Sequence, residues 1–563
     1  MRDVLTRKEA RWLGGLFGLL LISVVAFIFV FQYEHTTPIS KPGGSYREGI
    51  VGEPRFLNPV LSPANDADRD LVRLLFAGLM RYTPDGRLEP DLALRVAISP
   101  DGKTYTFTLR ENLLWHDGVP LSAEDVLYTI SIIQNPEYRS PIRVSWQGIR
   151  VETPDPRTVK MTLPNAYAPF LETATLGILP KHVWEKIPAK NFSLADVNVK
   201  PVGAGPYRFL KFQKDRTGRV RIFELEAVRG NAKAPYLAKL TLRFYPTEEE
   251  AIAGLNRGEV DGISFVSAQN RERLRRPSAL ALHAIRLPRY YAVFFNQSQS
   301  RALAEKPVRQ ALNIATNRAE LIEKVIQGEG TALASPILPG LLGHAPNITP
   351  PPFSIEEASR VLEAAGWRDA NGDGFREKVF VSGTGKKRKE ETVPLEFTLT
   401  TAQSADLIQV GTLVKETWGK LGAKVSLEVA GLGEIQTNAI RPRRYQALLF
   451  GEVTAIDPDP FPFWHSSQKK DPGLNLALYG SKTVDKLLEE ARQTADPNVR
   501  AAKYAEFQRQ LAEDLPAIFL YSPHYLYPVS KHIKGIETTL IAEPSQRFAD
   551  IANWYIKTRR VPK

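Results

Sequence analysis

Histidines, serines, glycine-rich turns and carboxylates are the groups through which this 563-residue chain could do chemistry, and their spacing argues against most of it. None of the eight histidines stands in an H-E-x-x-H or comparable zinc spacing, and no serine occupies G-x-S-x-G. Gly203-Ala204-Gly205-Pro206 begins like a dinucleotide loop but lacks the third glycine, and residues 206–210 read as a strand where a helix is required. Gly385-Lys386 is no phosphate loop, because position 380 holds phenylalanine where the first glycine belongs. Asp369, Asn371 and Asp373, followed by Gly374, alternate oxygen ligands as a calcium loop does. Phe380 replaces the bidentate glutamate, which excludes a complete EF-hand. Glu377 could act as a ninth-position ligand; a plain Asn/Asp/Gly turn is the competing reading. Asp457 and Asp459 are paired acids suited in principle to general acid–base work, but they lie in a stiff Pro-rich loop with no nucleophile nearby. The expectation is a chain that is not an enzyme and has no cofactor or metal.

The absence of cysteine removes disulfides, thiolate metal sites and a lipid-modified cysteine. Residues 12–31 (WLGGLFGLLLISVVAFIFVF) carry no charge, and at about 1.5 Å per residue such a helix spans about 30 Å, a bilayer's hydrocarbon core. Arg2, Arg7, Lys8 and Arg11 precede it, which orients the bulk of the chain outwards. A cleaved signal peptide shares that polarity, but the run is long and exits through Gln32-Tyr33-Glu34-His35 without a small-x-small site, so an uncleaved signal anchor spanning 12–33 is expected. Residues 1–11 would be cytoplasmic and residues 34–45 (EHTTPISKPGGS) a polar linker.

The net charge is +12; the first 45 residues hold five basic and three acidic side chains, so the remainder still carries +10. Outside a cell that favours anionic polymers, headgroups or acidic ligands, and no motif supports nucleic acid. The one dense basic run, 386–389, reads as the solvated tip of an excursion between two strands. Strands are expected at 105–109, 262–266, 424–429 and 517–521. Helices are expected from Ser122 onwards and at 248–258, 308–327, 407–421, 484–494 and 500–514, a mixture that indicates α/β lobes.

The order of short segments is itself informative. FLNP at 56–59, LFAGL at 75–79, EPDLA at 89–93, DGKTYTF at 101–107, WHDG at 115–118 and SAEDV at 122–126 are followed by GAGPY at 203–207 and LNRGEVD at 255–261. YAVFFN at 291–296, VRQAL at 308–312, LEAAGWRD at 362–369, NLALY at 475–479 and DLP at 514–516 complete the series. In that order they resemble the family 5 extracellular solute-binding proteins, the oligopeptide, dipeptide and nickel-binding group of ABC importers, over about residues 46–560. The resemblance implies a two-lobed α/β periplasmic-binding-protein-like fold of type II, with an extra subdomain, after the transmembrane helix. Lobe I would comprise 46–90, 205–287 and 528–563, its subdomain 91–204, and lobe II 288–527, with hinge crossings near 288–289 and 525–528. It further implies a monomer that closes on a peptide or other small solute and delivers it to permease subunits. An anchored sensor or scaffold for cell-wall peptide or carbohydrate is the alternative.

Peptide binders of this family often read Gly-Trp-x-x-Asp-Tyr where this chain has GEVTAID at 451–457. Glu452 stands at the tryptophan position and the acid moves to Asp457; either carboxylate could hold a ligand ammonium, or both are solvated loop acids. Further candidate cleft residues are Glu53, Arg55, Trp146, Asn296, Arg443, Trp464, Asn475 and Tyr479. Arg443, with Arg441, could take a ligand carboxylate. The aromatics could instead fill a core, and the arginines could sit on the surface.

Overall fold

A computed structural model of the protein describes residues 6–230, 234–275, 277–383 and 388–562. Its first element, α1 (Arg7–His35), starts at a capping box: the Thr6 amide donates to the Glu9 carboxylate (2.8 Å), and the Glu9 amide returns a bond to the Thr6 hydroxyl (3.4 Å). Apolar side chains around the helix stay outside both cores; Trp12 is 75% exposed and Phe29 70%. Folded chains do not leave that much apolar surface to water. The stretch Arg11–Phe31 is long and apolar enough to cross a membrane, as a signal sequence near an N-terminus also would be.

Past His35 the chain does not go slack. Thr36–Lys41 pairs antiparallel with Lys557–Pro562, from Thr36 opposite Pro562 to Lys41 opposite Lys557. Half of the stretch read as linker is therefore strand, and the far end of the chain is drawn to the base of α1. The β-branched Thr36, Thr37 and Ile39 suit that pairing, a preference that the neighbouring prolines and glycines obscure.

The remainder is built on two hydrophobic cores. The first runs from Tyr46 to Phe244 and resumes with Ile285, Leu287 and Tyr525 to Trp554; the second draws almost all its residues from Tyr290 to Tyr521, and a small satellite cluster gathers Tyr245, Ile252, Ile263 and Leu526. A mixed sheet passes through both, in the order Lys424–Ala430, Glu396–Ala402, Ala447–Val453, Arg289–Phe295, Ala517–Ser530, Gly262–Ile263, Ser45–Val51, Lys239–Tyr245, Val220–Ala227, Tyr207–Lys214. A separate four-stranded antiparallel sheet spans Ala93 to Thr162. Helices covering mixed sheets make this a two-lobed α/β fold.

Ala517–Ser530 is the strand the cores share, and it is much longer than the five residues the sequence suggests. It is buried at nearly every position, which its mainly apolar and aromatic sequence on either side of Ser522-Pro523-His524 permits on both faces. Its first half pairs with Arg289–Phe295 and its second with Leu280–Arg286, the change falling at Pro523-His524. Arg286 lies opposite His524, so the second crossing, Leu287-Pro288, runs beside the first. Proline lacks the amide a continuous ladder needs, which suits Pro523 to the point where partners change.

Two further expectations need correction. The helix expected over 308–327 is two, Lys306–Ile314 and Arg318–Ile326. Thr316 turns its hydroxyl back to the Leu312 carbonyl (2.7 Å), and Asn317 caps the second helix by accepting from the Glu320 amide (3.2 Å). The strand expected at 262–266 ends at Ile263, after which the Ser264 amide goes to Gly49 and the Val266 amide to Leu526. Of the basic run, Arg388 and Lys389 lead into the strand Lys389–Pro394, which pairs with Glu377–Ser382; Lys386 and Lys387 lie outside the described residues.

Arg547 ties the first core together. Fully buried, it donates to Glu48 (Nε, 3.0 Å) and bidentately to Asp70 (2.7 Å twice). Tyr46 and Tyr527 donate to the other oxygen of Glu48. The cluster joins Ser45–Val51, helix α2 (Asp66–Leu75), the shared strand and the turn Pro544–Phe548. Replacing one partner strands two buried carboxylates, so Arg547→Met is expected to lower stability by about 3–5 kcal/mol, read from urea denaturation. Removing residues 557–562 is expected to leave both cores intact while exposing 36–45 to limited proteolysis; unchanged cleavage there would show that the strand pair is not formed.

Candidate functional site

A cavity of about 1070 Å³ opens against α2 and is walled mainly by the first core, with Thr454 and Ala455 contributed from the second. Its apolar wall includes Phe76, Trp115, Trp146 and Phe548, and its polar lining is rich in arginine: Arg69, Arg73, Arg81, Arg110, Arg208 and Arg229 face four acids, Asp91, Glu111, Glu172 and Glu543. A concave, largely apolar space with a few convergent charged groups is the usual form of a small-ligand site.

Local sequence explains how the wall is held. Asn65 caps α2 by accepting from the Ala67 amide (2.9 Å), and Asp68 accepts from the amides of Arg55 (2.6 Å) and Phe56 (3.0 Å). Burial pushes the Asp68 carboxyl up to about 6 despite those donors. The end of α2 is gripped by the GAGPY segment, where the Gly205 amide donates to the Leu75 carbonyl (2.8 Å). A Cβ at Gly203 would stand 1.9 Å from that carbonyl oxygen. These glycines serve a close backbone approach. His116 completes the grip: Nδ1 accepts from the Gly203 amide (3.2 Å) and Nε2 donates to the Gly205 carbonyl (3.1 Å). Burial holds its pKa down at about 4, so it is a neutral structural imidazole.

Beside the cavity a seam joins the two cores. The Asp457 amide donates to Glu172 (2.8 Å), whose carboxyl also takes the Tyr82 hydroxyl and is pushed up to about 7 by burial. The Asp457 carboxylate is held bidentately by Arg500. Asp459 takes Arg492 (2.7 Å) and the Tyr167 hydroxyl (3.3 Å), with the Arg492 guanidinium 5.2 Å over the Tyr167 ring. The two acids of the Pro-rich loop are thus each committed to an arginine, which leaves neither as a free acid or base.

Of the ten candidate cleft residues, Trp146 lines the cavity. The others stand elsewhere among the described residues. Glu53 and Arg55 form an exposed pair, 3.7 Å apart, with Arg219 also at 3.7 Å from Glu53. Asn296, Arg443, Asn475 and Tyr479 bind the chain to itself. Arg443 donates to the carbonyls of Ile440 (2.9 Å), Lys469 (2.9 Å) and Gly473 (2.5 Å), and Asn296 to that of Arg443 (3.0 Å). Asn475 bonds the carbonyls of His465 and Tyr479, and the Tyr479 hydroxyl reaches Asp514 (2.6 Å). Trp464 is core, packed among Phe294, Phe507 and Phe519. Glu452 is buried opposite Tyr290, whose hydroxyl it accepts, with its second oxygen unpartnered. Asp457 sits at the seam rather than in the cavity lining. The Asp369 loop folds as a turn, its carboxylate accepting the amides of Gly372 (2.8 Å), Asp373 (3.1 Å) and Gly374 (3.0 Å). Sequence reasoning missed Arg73 and Trp115. Nothing separates Arg73 from an ordinary helical surface charge except that it falls four residues after Arg69, on the same face.

Comparison with known proteins agrees with this architecture. Residues 87–474 match the family of bacterial extracellular solute-binding proteins, family 5 middle region, and the chain belongs to that family. It is 27% identical to the oligopeptide-binding protein AppA of Bacillus subtilis over 528 residues, covering 91% of this chain and 92% of that one. Among solved structures, NikZ from Campylobacter jejuni, in complex with Ni(L-His), is similar at 26% identity and a TM-score of 0.69, over 91% of this chain and 99% of that one. The ABC transporter substrate-binding protein CtaP of Listeria monocytogenes shares the fold with a TM-score of 0.76 at 24% identity, over 92% and 99%.

Glu452 gives the second core a pH signature. Burial pushes its carboxyl up to about 8, so the folded chain holds it neutral while the unfolded chain ionises it near its ordinary 4.5. Its contribution is intact below about 4.5 and is lost at about 1.4 kcal/mol per unit as pH rises towards 8. Asp68 and Glu172, at about 6 and 7, account for loss at lower pH. Between pH 7 and 8 the melting temperature is therefore expected to keep falling in the wild type and to stay flat in Glu452→Gln.

Proposed function

We propose that this member of the family 5 solute-binding proteins takes up an oligopeptide in its 1070 Å³ cavity and presents it, without bond making or breaking, to the permease of an ABC importer. The observation that carries the reading is a Trp- and Arg-lined cavity beside a seam between two cores joined by adjacent crossings. A ligand that touched both sides of such a seam would favour the closed arrangement by its differential affinity. AppA, at 27% identity, is named for oligopeptide binding, which favours peptide over the other solutes of the family. We take lobe I as 46–90, 205–287 and 528–563, its subdomain as 91–204, and lobe II as 288–527.

In this reading the receptor is held at the membrane by Trp12–Phe31 and works outside the cell, as its family does. The exposed apolar surface of α1 supports that, and so does the strand pair Thr36–Lys41 with Lys557–Pro562, which leaves little free tether. A short tether keeps the receptor at high local concentration beside a permease.

Two measurements test the reading. Full-length chain in detergent is expected to melt higher when mixed short peptides are added. At a hundredfold excess over Kd the stabilisation is about 2.7 kcal/mol, and Trp146→Ala should reduce it; a library that leaves the melting temperature unchanged contradicts the proposal. In cells the chain should stay in the membrane pellet after alkaline carbonate washing, and removal of residues 1–35 should release it. Recovery of the full-length wild type in the soluble fraction would contradict anchoring.

A further inference from the structure

Six arginines line the cavity, and five of them are already engaged. Arg69 donates to the Pro63 carbonyl (3.0 Å), Arg81 to Glu89 (2.7 Å), Arg110 to the Asp91 carbonyl (2.6 Å), Arg208 to Glu226 (2.8 Å) and Arg229 to the Pro235 carbonyl (2.9 Å). Arg73, in the last turn of α2, makes no hydrogen bond and no ion pair among the described residues. It is half-buried in the wall, where partial loss of water pushes its pKa down and the nearby Glu543 and Asp91 oppose that shift. A guanidinium carries five N–H donors in a fixed fork, and none of those of Arg73 is both buried and unpartnered, so they stay open to a ligand in the cavity. The neighbouring acids do not meet them: Glu543 accepts from the Ser545 hydroxyl (2.5 Å) and lies 3.5 Å from Arg69.

The acids of the cavity are engaged as well. Glu172 accepts from Asp457 and Glu111 pairs with Arg157 (2.8 Å), while Asp457 itself is taken by Arg500. A ligand ammonium therefore meets committed carboxylates, whereas a ligand carboxylate meets a free fork.

We propose that Arg73 is the specificity-determining residue of this cavity, and that it selects peptides bearing a carboxylate which it grips bidentately. This rests on the peptide-binding reading above. The acid end of the ligand would then lie against α2, with the rest of the peptide along the Trp115 and Trp146 wall.

The test is calorimetric titration of the full-length chain in detergent with peptides of one length. One member has acidic side chains and a free C-terminus, one is neutral with a free C-terminus, one is neutral and C-terminally amidated, and one is basic and amidated. Carboxylate-bearing members are expected to bind, and Arg73→Gln to weaken them about 10- to 100-fold, the range of a charge-assisted pair. Arg73→Gln should leave the amidated neutral peptide unaffected, and Arg73→Lys, a point charge without the fork, should fall between. Because Arg73 holds no hydrogen bond or ion pair among the described residues, the unliganded melting temperature of the variant should stay close to the wild type's. Equal binding of acidic and amidated peptides, full acidic-peptide affinity in Arg73→Gln, or a large drop in its unliganded melting temperature would each overturn the inference and leave peptide binding standing. A panel in which no member binds would remove peptide binding and this inference together.

Discussion

The strand Ala517–Ser530 is the constraint on which the rest depends. Its first half is a rung of one core and its second half of the other, so neither core can move without turning about residues 521–525. The return crossing at Leu287-Pro288 lies beside it, with Arg286 opposite His524. Two adjacent crossings permit rotation about one line and resist sliding, which is the mechanical requirement for lobes that close on a ligand. The seam of Glu172, Asp457 and Arg500 lies beside the cavity, where such a rotation would be felt.

Placement of the cavity wall rests on a second device. Helix α2 carries Asp70 towards the core, where Arg547 holds it, and three residues on it carries Arg73 to the cavity. The same short helix thus joins a buried, fully hydrogen-bonded charge to a half-buried one that has no hydrogen-bond partner among the described residues. The difference is functional in kind: a satisfied arginine fixes structure, while an unsatisfied one is left for a ligand.

Much of the fold was legible in the sequence because it is local. Alternation at 105–109, the helix start at Ser122 and the ordered family segments each report a nearby preference. The site was less legible because its residues are defined by what they fail to contact. Arg443 and Arg73 look alike in sequence, yet Arg443 donates to three carbonyls and Arg73 to none. Glu452 and Asp457 are singled out by their place in a family segment, and distant partners, Tyr290 and Arg500, decide their states. The split of 308–327 hinged on one capping asparagine inside an unbroken apolar period. The strand at 36–41 depends on a partner more than 500 residues away.

Mass spectrometry of the small molecules released on denaturing the purified full-length chain decides whether peptides are what the cavity takes. A peptide receptor of the proposed kind releases a mixture of short peptides, each with a free carboxylate. Release of a single non-peptide solute, such as a sugar or a metal chelate, at stoichiometric amount would contradict it.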